Sequence, residues 1–152
     1  MAIATRQADV SWEGSLAAGE GAISSASGAF DRLPVTWASR TQQPEGRTSP
    51  EELIAAAHAS CFAMALALVL GRSDAPPGQL AVSARCTLDE IDGAPRITAI
   101  DLAVGARLGG IGKEQFERCL SEAAQLCPVS NALRGAVQIN VSGELEPLAA
   151  AH

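Results

Sequence analysis

The sequence predicts a single α+β domain in which antiparallel sheets pack around a long central helix and a second helix. The first observation is an uncharged stretch of 18 residues that follows a strong helix start. The second is a set of short segments in which apolar and polar residues alternate, as in half-buried strands. The third is a later segment with apolar residues at spacings of three and four, typical of an amphipathic helix. A chain of 152 residues suits one domain with its own core.

The first third of the chain is predicted to form an antiparallel sheet. Residues 8–14, 21–28 and 34–39 are short segments compatible with strands, and a glycine-containing loop separates the first two. Residues 41–48 are polar and include a proline and a glycine, which predicts a loop before the next element.

The central helix is predicted to begin at Ser49 and to end near Leu70. The Ser49 hydroxyl can accept a hydrogen bond from a free N–H of the first turn, and Pro50 suits the first helical position. The two glutamates at 51–52 face the positive end of the helix dipole. Gly71 is expected to be the C-cap.

The uncharged stretch from Leu53 to Leu70 just reaches the length that marks a membrane span. Half of its residues are alanine or polar, and neither an aromatic belt nor a basic cluster flanks it. We therefore expect no membrane partner, and a central helix that protein buries on all sides.

A hairpin and a closing strand are predicted in the second half of the chain. Apolar and polar residues alternate in 80–91 and again in 97–108, and Asp92-Gly93 between them is a hairpin signal. The same alternation in 136–145 predicts the last strand.

A second helix is predicted between these strands, beginning near Gly112 and carrying apolar residues on one face of 113–127. Pro128 cannot continue that helix, so the chain kinks or restarts there. We expect Cys127 to be the N-cap of a short helical turn that Gly135 closes.

The charge balance excludes one class of partner. The chain has 17 acidic and 11 basic residues, a net charge of −6, and its basic residues do not cluster. Nucleic acid is therefore not an expected partner. The N-terminal residues contain no apolar run of the kind found in signal peptides, so we expect a cytoplasmic protein whose four cysteines are reduced.

The cysteines differ in their predicted surroundings. Cys86 and Cys119 lie on the apolar faces of a strand and a helix, where packing explains them. Cys61, in the central helix, and Cys127, at a helix boundary, are open to either packing or chemistry. His58 and Cys61 share a helical face, but the close cysteine pairs of zinc sites are missing, so we expect no metal and a hydrogen-bonded interior or interface histidine.

Two motifs carry a resemblance to a known family. The segments TSPEELIAAAHASCFAMALALVLG, residues 48–71, and LCPVSNAL, residues 126–133, resemble the OsmC/Ohr family of osmotically inducible and organic-hydroperoxide-resistance proteins. The likeness extends over roughly residues 9–145, and the segment AAHASCF is similar to sequences of the osmotically inducible branch. The resemblance implies an OsmC-like fold, an intertwined homodimer, and a thiol-dependent peroxidase of the oxidative stress response that reduces organic hydroperoxides, and hydrogen peroxide less well.

The resemblance also implies catalytic residues by motif position. Cys61 would attack the peroxide and Cys127 would resolve the resulting sulfenic acid. Glu51 would hold an arginine that polarises the first thiol, and Arg40 is the candidate, with Arg47 near enough in sequence to compete. The family's reductant is dihydrolipoamide or a lipoylated protein, and no bound cofactor is implied.

Elementary chemistry explains why Cys61 needs a cation. Burial raises the pKa of a thiol, whereas only the thiolate attacks an O–O bond at a useful rate. A guanidinium supplies the charge without titrating. Glu51 and Cys61 are ten residues apart, about 15 Å along one helix, so we expect the acid to come from a second subunit whose helix crosses near Ala56. This predicts a homodimer with its active sites at the interface.

The apolar residues near these positions bear on the substrate. Phe62, Met64, Phe116 and Leu126 are candidates for lining a pocket that favours organic hydroperoxides, although such side chains also suit a core. The alternative function is a non-catalytic dimer of the same fold that senses redox state or binds a small molecule. An arginine at position 40 directed at the thiol would favour catalysis.

Overall fold

The computed structural model describes residues 1–75 and 78–146. Its internal contacts divide the chain into two compact units, Met1–Leu53 and Ile54–His152. Helices and strands occur in both, as the α+β class requires. That the chain folds as one domain stays a prediction.

The N-terminal unit contains an antiparallel sheet of three strands in the order β1-β2-β3, followed by a short helix, α1. The predicted third strand is shorter than expected, because residues from Trp37 onward are helical. The Thr36 hydroxyl accepts a hydrogen bond from the Ser39 N–H, and the Thr36 N–H donates to the Ser39 hydroxyl. This capping box starts a helix where alternation had suggested a strand. The elements are β1 (Ala8–Glu13), β2 (Glu20–Ser25), β3 (Leu33–Val35) and α1 (Trp37–Thr41).

The central helix, α2 (Pro50–Arg72), begins where it was predicted to begin. The Ser49 hydroxyl accepts a hydrogen bond of 3.1 Å from the Glu52 N–H. The predicted C-cap at Gly71 is wrong, because the helix continues through Arg72. The left-handed residue that ends it is Asp74, at φ 54°, and the next N–H, of Ala75, donates back to the Leu70 carbonyl.

The C-terminal unit contains a second sheet in the order β4-β5-β6, together with helices α3 and α4. Asp92 and Gly93 join β4 to β5 with φ of 52° and 77°, which suits a type I′ hairpin turn. β6 pairs parallel to β5, so the prediction of purely antiparallel sheets is wrong for this pair. Two helices separate these strands in sequence, and such a crossover permits parallel pairing. The elements are β4 (Gln79–Ile91), β5 (Ala94–Arg107), α3 (Lys113–Leu126), α4 (Pro128–Leu133) and β6 (Gln138–Glu146).

The core of the C-terminal unit lies between the sheet and one face each of α2 and α3. Gly143 of β6 permits close approach of α3, since a Cβ there would lie 2.5 Å from the Leu120 side chain and 3.0 Å from Phe116. The fully or nearly fully buried core side chains are Phe62, Leu66, Val69, Leu70, Ile100, Leu102, Val104, Leu108 and Phe116.

α2 is buried on one face only in the single chain. Phe62 and Leu66 are fully buried, whereas Met64 is 72% exposed and Leu68 is 50% exposed. The expectation of burial on all sides is therefore not met within one chain, and α2 presents an uncovered apolar face. By length and composition α2 could cross a membrane, a test that core helices of soluble proteins also pass.

Candidate active site

Arg40 and Glu51 form a bidentate ion pair in the N-terminal unit. The Arg40 Nη2 lies 2.7 Å from Glu51 Oε1, and its Nε lies 3.0 and 3.2 Å from the two carboxylate oxygens. Glu51 is only 7% exposed, so the pair is shielded from most of the screening that weakens surface ion pairs. The predicted pairing of these two residues is therefore present.

The local structure of α1 fixes the direction of Arg40. The buried Ser39 hydroxyl donates to the Thr48 carbonyl at 2.9 Å, which joins α1 to the segment before α2. The Trp37 ring lies 5.8 Å from the Arg40 guanidinium carbon, within cation–π range. Because α1 and the first turn of α2 are joined in this way, the Arg40 Nε–H and Nη2–H groups both point at the Glu51 carboxylate.

Arg47, the competing arginine, does not contact Glu51. Its Nε lies 3.9 Å from a carboxylate oxygen of Glu20, and its side chain is 39% exposed. An ion pair at that distance between two solvent-exposed side chains contributes little to fixing the position of the arginine. The geometry therefore distinguishes Arg40 from Arg47 as the partner of Glu51, which the sequence left open.

Cys61 and Cys127 interact within the C-terminal unit. Cys61 lies half-buried on α2, and Cys127 is fully buried at the junction of α3 and α4. Burial raises the pKa of the Cys61 thiol; a hydrogen bond from the Val129 backbone opposes this, and a hydrogen bond to Cys127 together with the charge there adds to it. The two predicted redox thiols are thus brought together, although they are 66 residues apart in sequence.

Cys127 is the N-cap of α4, as predicted, and its sulfur accepts a hydrogen bond of 3.5 Å from the Ser130 N–H. Burial opposes ionisation of this thiol, but hydrogen bonds from the Ser130 side chain and backbone outweigh burial and lower the pKa of Cys127, with smaller contributions from Cys61 and Val129. Of Cys61 and Cys127, Cys127 therefore ionises more readily.

His58 has the buried, hydrogen-bonded setting that the sequence predicted. It is fully buried, its Nε2 lies 2.7 Å from the Ser130 hydroxyl, and burial lowers the pKa of its imidazole. Ser130 is the residue that sequence reasoning missed. The available signal is its position three residues after an N-cap cysteine, where its N–H must point at the sulfur.

The remaining predicted positions divide between core and surface. Cys119 is buried in the core and Cys86 packs against it, as expected. Phe62 and Phe116 are also core side chains, whereas Leu126 is 42% exposed. Within residues 1–75 and 78–146, no group of three or more His, Cys, Asp and Glu side chains is arranged to hold a metal ion.

Comparison with known proteins identifies the family to which the chain is similar. The family profile described as "OsmC-like protein" matches residues 43–142. Peroxiredoxin OsmC of Escherichia coli is 36% identical over 129 residues, which is 85% of this chain and 90% of that protein. Organic hydroperoxide resistance protein-like 1 of Staphylococcus epidermidis is 32% identical over 108 residues, 68% of this chain and 75% of that protein.

Solved structures show the same fold. A crystal structure of an organic hydroperoxide resistance protein OsmC from Legionella pneumophila superposes with a TM-score of 0.74 at 23% identity, covering 95% of this chain and 99% of that one. The predicted OsmC-like fold is confirmed by this likeness. Together with the family profile and the curated relatives, it establishes that this chain belongs to the family of OsmC-like proteins.

Proposed function

We propose that this protein is a peroxidase that reduces organic hydroperoxides through Cys61 and Cys127. The names of its relatives, a peroxiredoxin and organic hydroperoxide resistance proteins, support the peroxidase role. The observation that carries the proposed mechanism is the interaction of the Cys61 and Cys127 thiols. A nucleophilic cysteine with a resolving cysteine beside it can complete a two-electron reduction without a bound metal or cofactor.

The proposed reaction has three steps. The Cys61 thiolate attacks one oxygen of the hydroperoxide, the O–O bond breaks, and the alcohol leaves with a proton, so that Cys61 becomes a sulfenic acid. The Cys127 sulfur then attacks the Cys61 sulfur, a disulfide forms, and hydroxide leaves as water. An external dithiol, for which we propose dihydrolipoamide or a lipoylated protein, reduces the disulfide by thiol exchange.

The Arg40–Glu51 pair is proposed to supply the cation that Cys61 needs. Burial raises the pKa of Cys61, so a nearby guanidinium is required to populate the thiolate at neutral pH. Glu51 and Cys61 lie ten residues apart on α2, which corresponds to about 15 Å. We therefore infer a homodimer in which the Arg40–Glu51 pair of one chain serves Cys61 of the other.

The uncovered face of α2 supports this homodimer. Met64 and Leu68 are apolar, exposed in the single chain and one helical turn apart. A second α2 crossing near Ala56 would cover apolar surface of this kind, and the small side chains there permit close approach. We propose a cytoplasmic homodimer that needs neither nucleic acid nor a membrane as partner.

Mixing two inactive variants tests whether each site draws on two chains. We expect Arg40→Gln homodimers to lose most of their activity and Cys61→Ser homodimers to be inactive, and we expect heterodimers of the two to recover activity. In the heterodimer, the intact Cys61 of the first chain faces the intact Arg40 of the second. Tandem-affinity purification of differently tagged chains isolates the heterodimer for assay. No recovery in a purified heterodimer would place Arg40 and Cys61 of one site on the same chain.

Steady-state turnover tests the proposed function itself. We expect reduced protein to consume cumene hydroperoxide with dihydrolipoamide as electron donor, and to consume hydrogen peroxide more slowly. Cys86→Ala is the matched control, because it removes a partly buried thiol that has no role in the proposed chemistry. A disulfide that forms without turnover would contradict the enzyme and favour a redox-sensing protein of the same fold.

A further inference from the structure

His58 and Ser130 form a buried polar pair that the proposed chemistry of the two thiols does not require. His58 on α2 is fully buried, and Ser130 on α4 is 1% exposed. The His58 Nε2 lies 2.7 Å from the Ser130 hydroxyl, whereas the His58 Nδ1 is buried with no hydrogen-bond partner in the described part of the chain. Buried polar groups normally have hydrogen-bond partners, so a buried histidine with one unpartnered ring nitrogen needs an explanation beyond packing.

The hydrogen bonds of this pair have a direction. The Ser130 N–H donates to the Cys127 sulfur at 3.5 Å, and hydrogen bonding from the Ser130 side chain also lowers the pKa of Cys127, which requires the one hydrogen of the hydroxyl to be donated towards the sulfur. The same oxygen must then accept from the His58 Nε2–H. In the neutral imidazole this tautomer leaves the lone pair on Nδ1, the atom without a partner, and so no buried N–H is left unpaired.

We propose that His58 and Ser130 are positioning residues that hold the Cys127 sulfur as the attacking thiolate in the resolving step. The chain of donors runs from His58 Nε2–H to the Ser130 hydroxyl and from that hydroxyl to the sulfur. The inference rests on the proposed two-thiol peroxidase and concerns its second step. His58 acts through Ser130, and neither residue touches the hydroperoxide in this proposal.

The resolving step explains what the donor chain contributes. The Cys127 thiolate attacks the Cys61 sulfur, the S–S bond forms, the S–O bond breaks, and the departing hydroxide becomes water with the proton that Cys127 released. A thiolate in a buried site needs hydrogen-bond donors because water no longer solvates it. Among the titratable groups of the described residues, the Cys61 thiol interacts with this sulfur and the His58 imidazole contacts Ser130. Burial lowers the pKa of His58, so the chain relies on a neutral donor.

Single-turnover kinetics with four variants test the proposal. We expect Ser130→Ala and His58→Leu to leave formation of the Cys61 sulfenic acid unchanged, and to slow disulfide formation roughly tenfold to a hundredfold, as loss of a hydrogen bond to a charged group implies. His58→Gln keeps an N–H donor and should recover most of the rate. Ser73→Ala is the matched control, since its hydroxyl lies 3.9 Å from the sulfur of Cys119 in the same unit.

A second measurement separates this inference from the proposed function. The ultraviolet absorbance of the thiolate, titrated in Cys61→Ser protein that also carries Cys86→Ala and Cys119→Ala, reports Cys127 ionisation without any peroxide. We expect Ser130→Ala to raise the pKa of Cys127 by about one unit or more, and His58→Gln to raise it less than His58→Leu. Unchanged titration in folded Ser130→Ala protein would overturn the inference. Failure of wild-type protein to form a sulfenic acid would overturn the proposed function and leave this titration as the remaining test.

Discussion

Replacement of Cys61 by serine is expected to abolish hydroperoxide consumption, with a loss of at least about a thousandfold, as removal of a covalent nucleophile does elsewhere. A serine hydroxyl does not ionise near neutral pH and does not attack an O–O bond. Replacement of Cys127 by serine should leave the first step intact and stop turnover after one equivalent of peroxide. Stopped-flow measurement of peroxide loss, with dimedone to trap the sulfenic acid, distinguishes the two variants.

The roles of the two thiols make this comparison informative. Because Cys127 ionises more readily than Cys61, a reversed assignment is the alternative, and it would leave Cys61→Ser able to form one sulfenic acid and Cys127→Ser unable to do so. A dimedone adduct on Cys127 in the Cys61→Ser variant would therefore contradict Cys61 as the nucleophile. Cys119→Ala, which removes a buried thiol of α3, serves as a control for removing a thiol.

Replacement of Arg40 by glutamine is expected to lower the rate of peroxide attack by about tenfold to a thousandfold at neutral pH. In the proposed dimer, we expect loss of the guanidinium to raise the pKa of Cys61, so that a smaller fraction of the thiol is ionised. The rate should then rise as pH increases, because the lost thiolate fraction returns. The check is the pH dependence of kcat/KM for cumene hydroperoxide.

The variants around Arg40 separate charge from geometry. Arg40→Lys keeps the positive charge but loses the fork that binds both Glu51 oxygens, so we expect a partial loss. Arg47→Gln removes the competing arginine, which lies in the polar segment 41–48, and should retain wild-type rates, since Arg47 contacts Glu20 loosely. Equal losses in Arg40→Gln and Arg47→Gln would contradict a specific role for Arg40.

The helix starts and turns were predictable because local chemistry determines them. Ser49 and Pro50 begin α2, and Asp92-Gly93 forms the hairpin turn, as the sequence indicated. The end of α2 was not predictable from Gly71. The left-handed position falls at Asp74, where an aspartate adopts a backbone conformation that sequence rules assign first to glycine.

The direction of β6 depends on non-local pairing, and the end of β3 depends on a helix cap, so the sequence pattern predicted neither. The alternation in residues 136–145 predicts a strand but carries no information about whether it runs parallel to β5 (Ala94–Arg107). The segment after Val35 became helical because Thr36 and Ser39 cap each other, a signal that competes with alternation in the same residues.

The candidate site was also only partly predictable from the sequence. Resemblance to a family pointed to Cys61 and Cys127, and it left two arginines as candidates for the partner of Glu51. Only the structure distinguishes Arg40, because the fork geometry depends on how α1 meets α2. The contact of His58 with Ser130 joins residues 72 apart in sequence, and no local pattern predicts such a pair.

The most direct measurement of the two-thiol mechanism is the intact mass and disulfide map of reduced wild-type protein after one equivalent of cumene hydroperoxide. We expect a loss of about two daltons, the two hydrogens removed by disulfide formation. The cross-linked peptide should join Cys61 to Cys127. A stable gain of one oxygen without a cross-link, or a cross-link through Cys86 or Cys119, would contradict the mechanism.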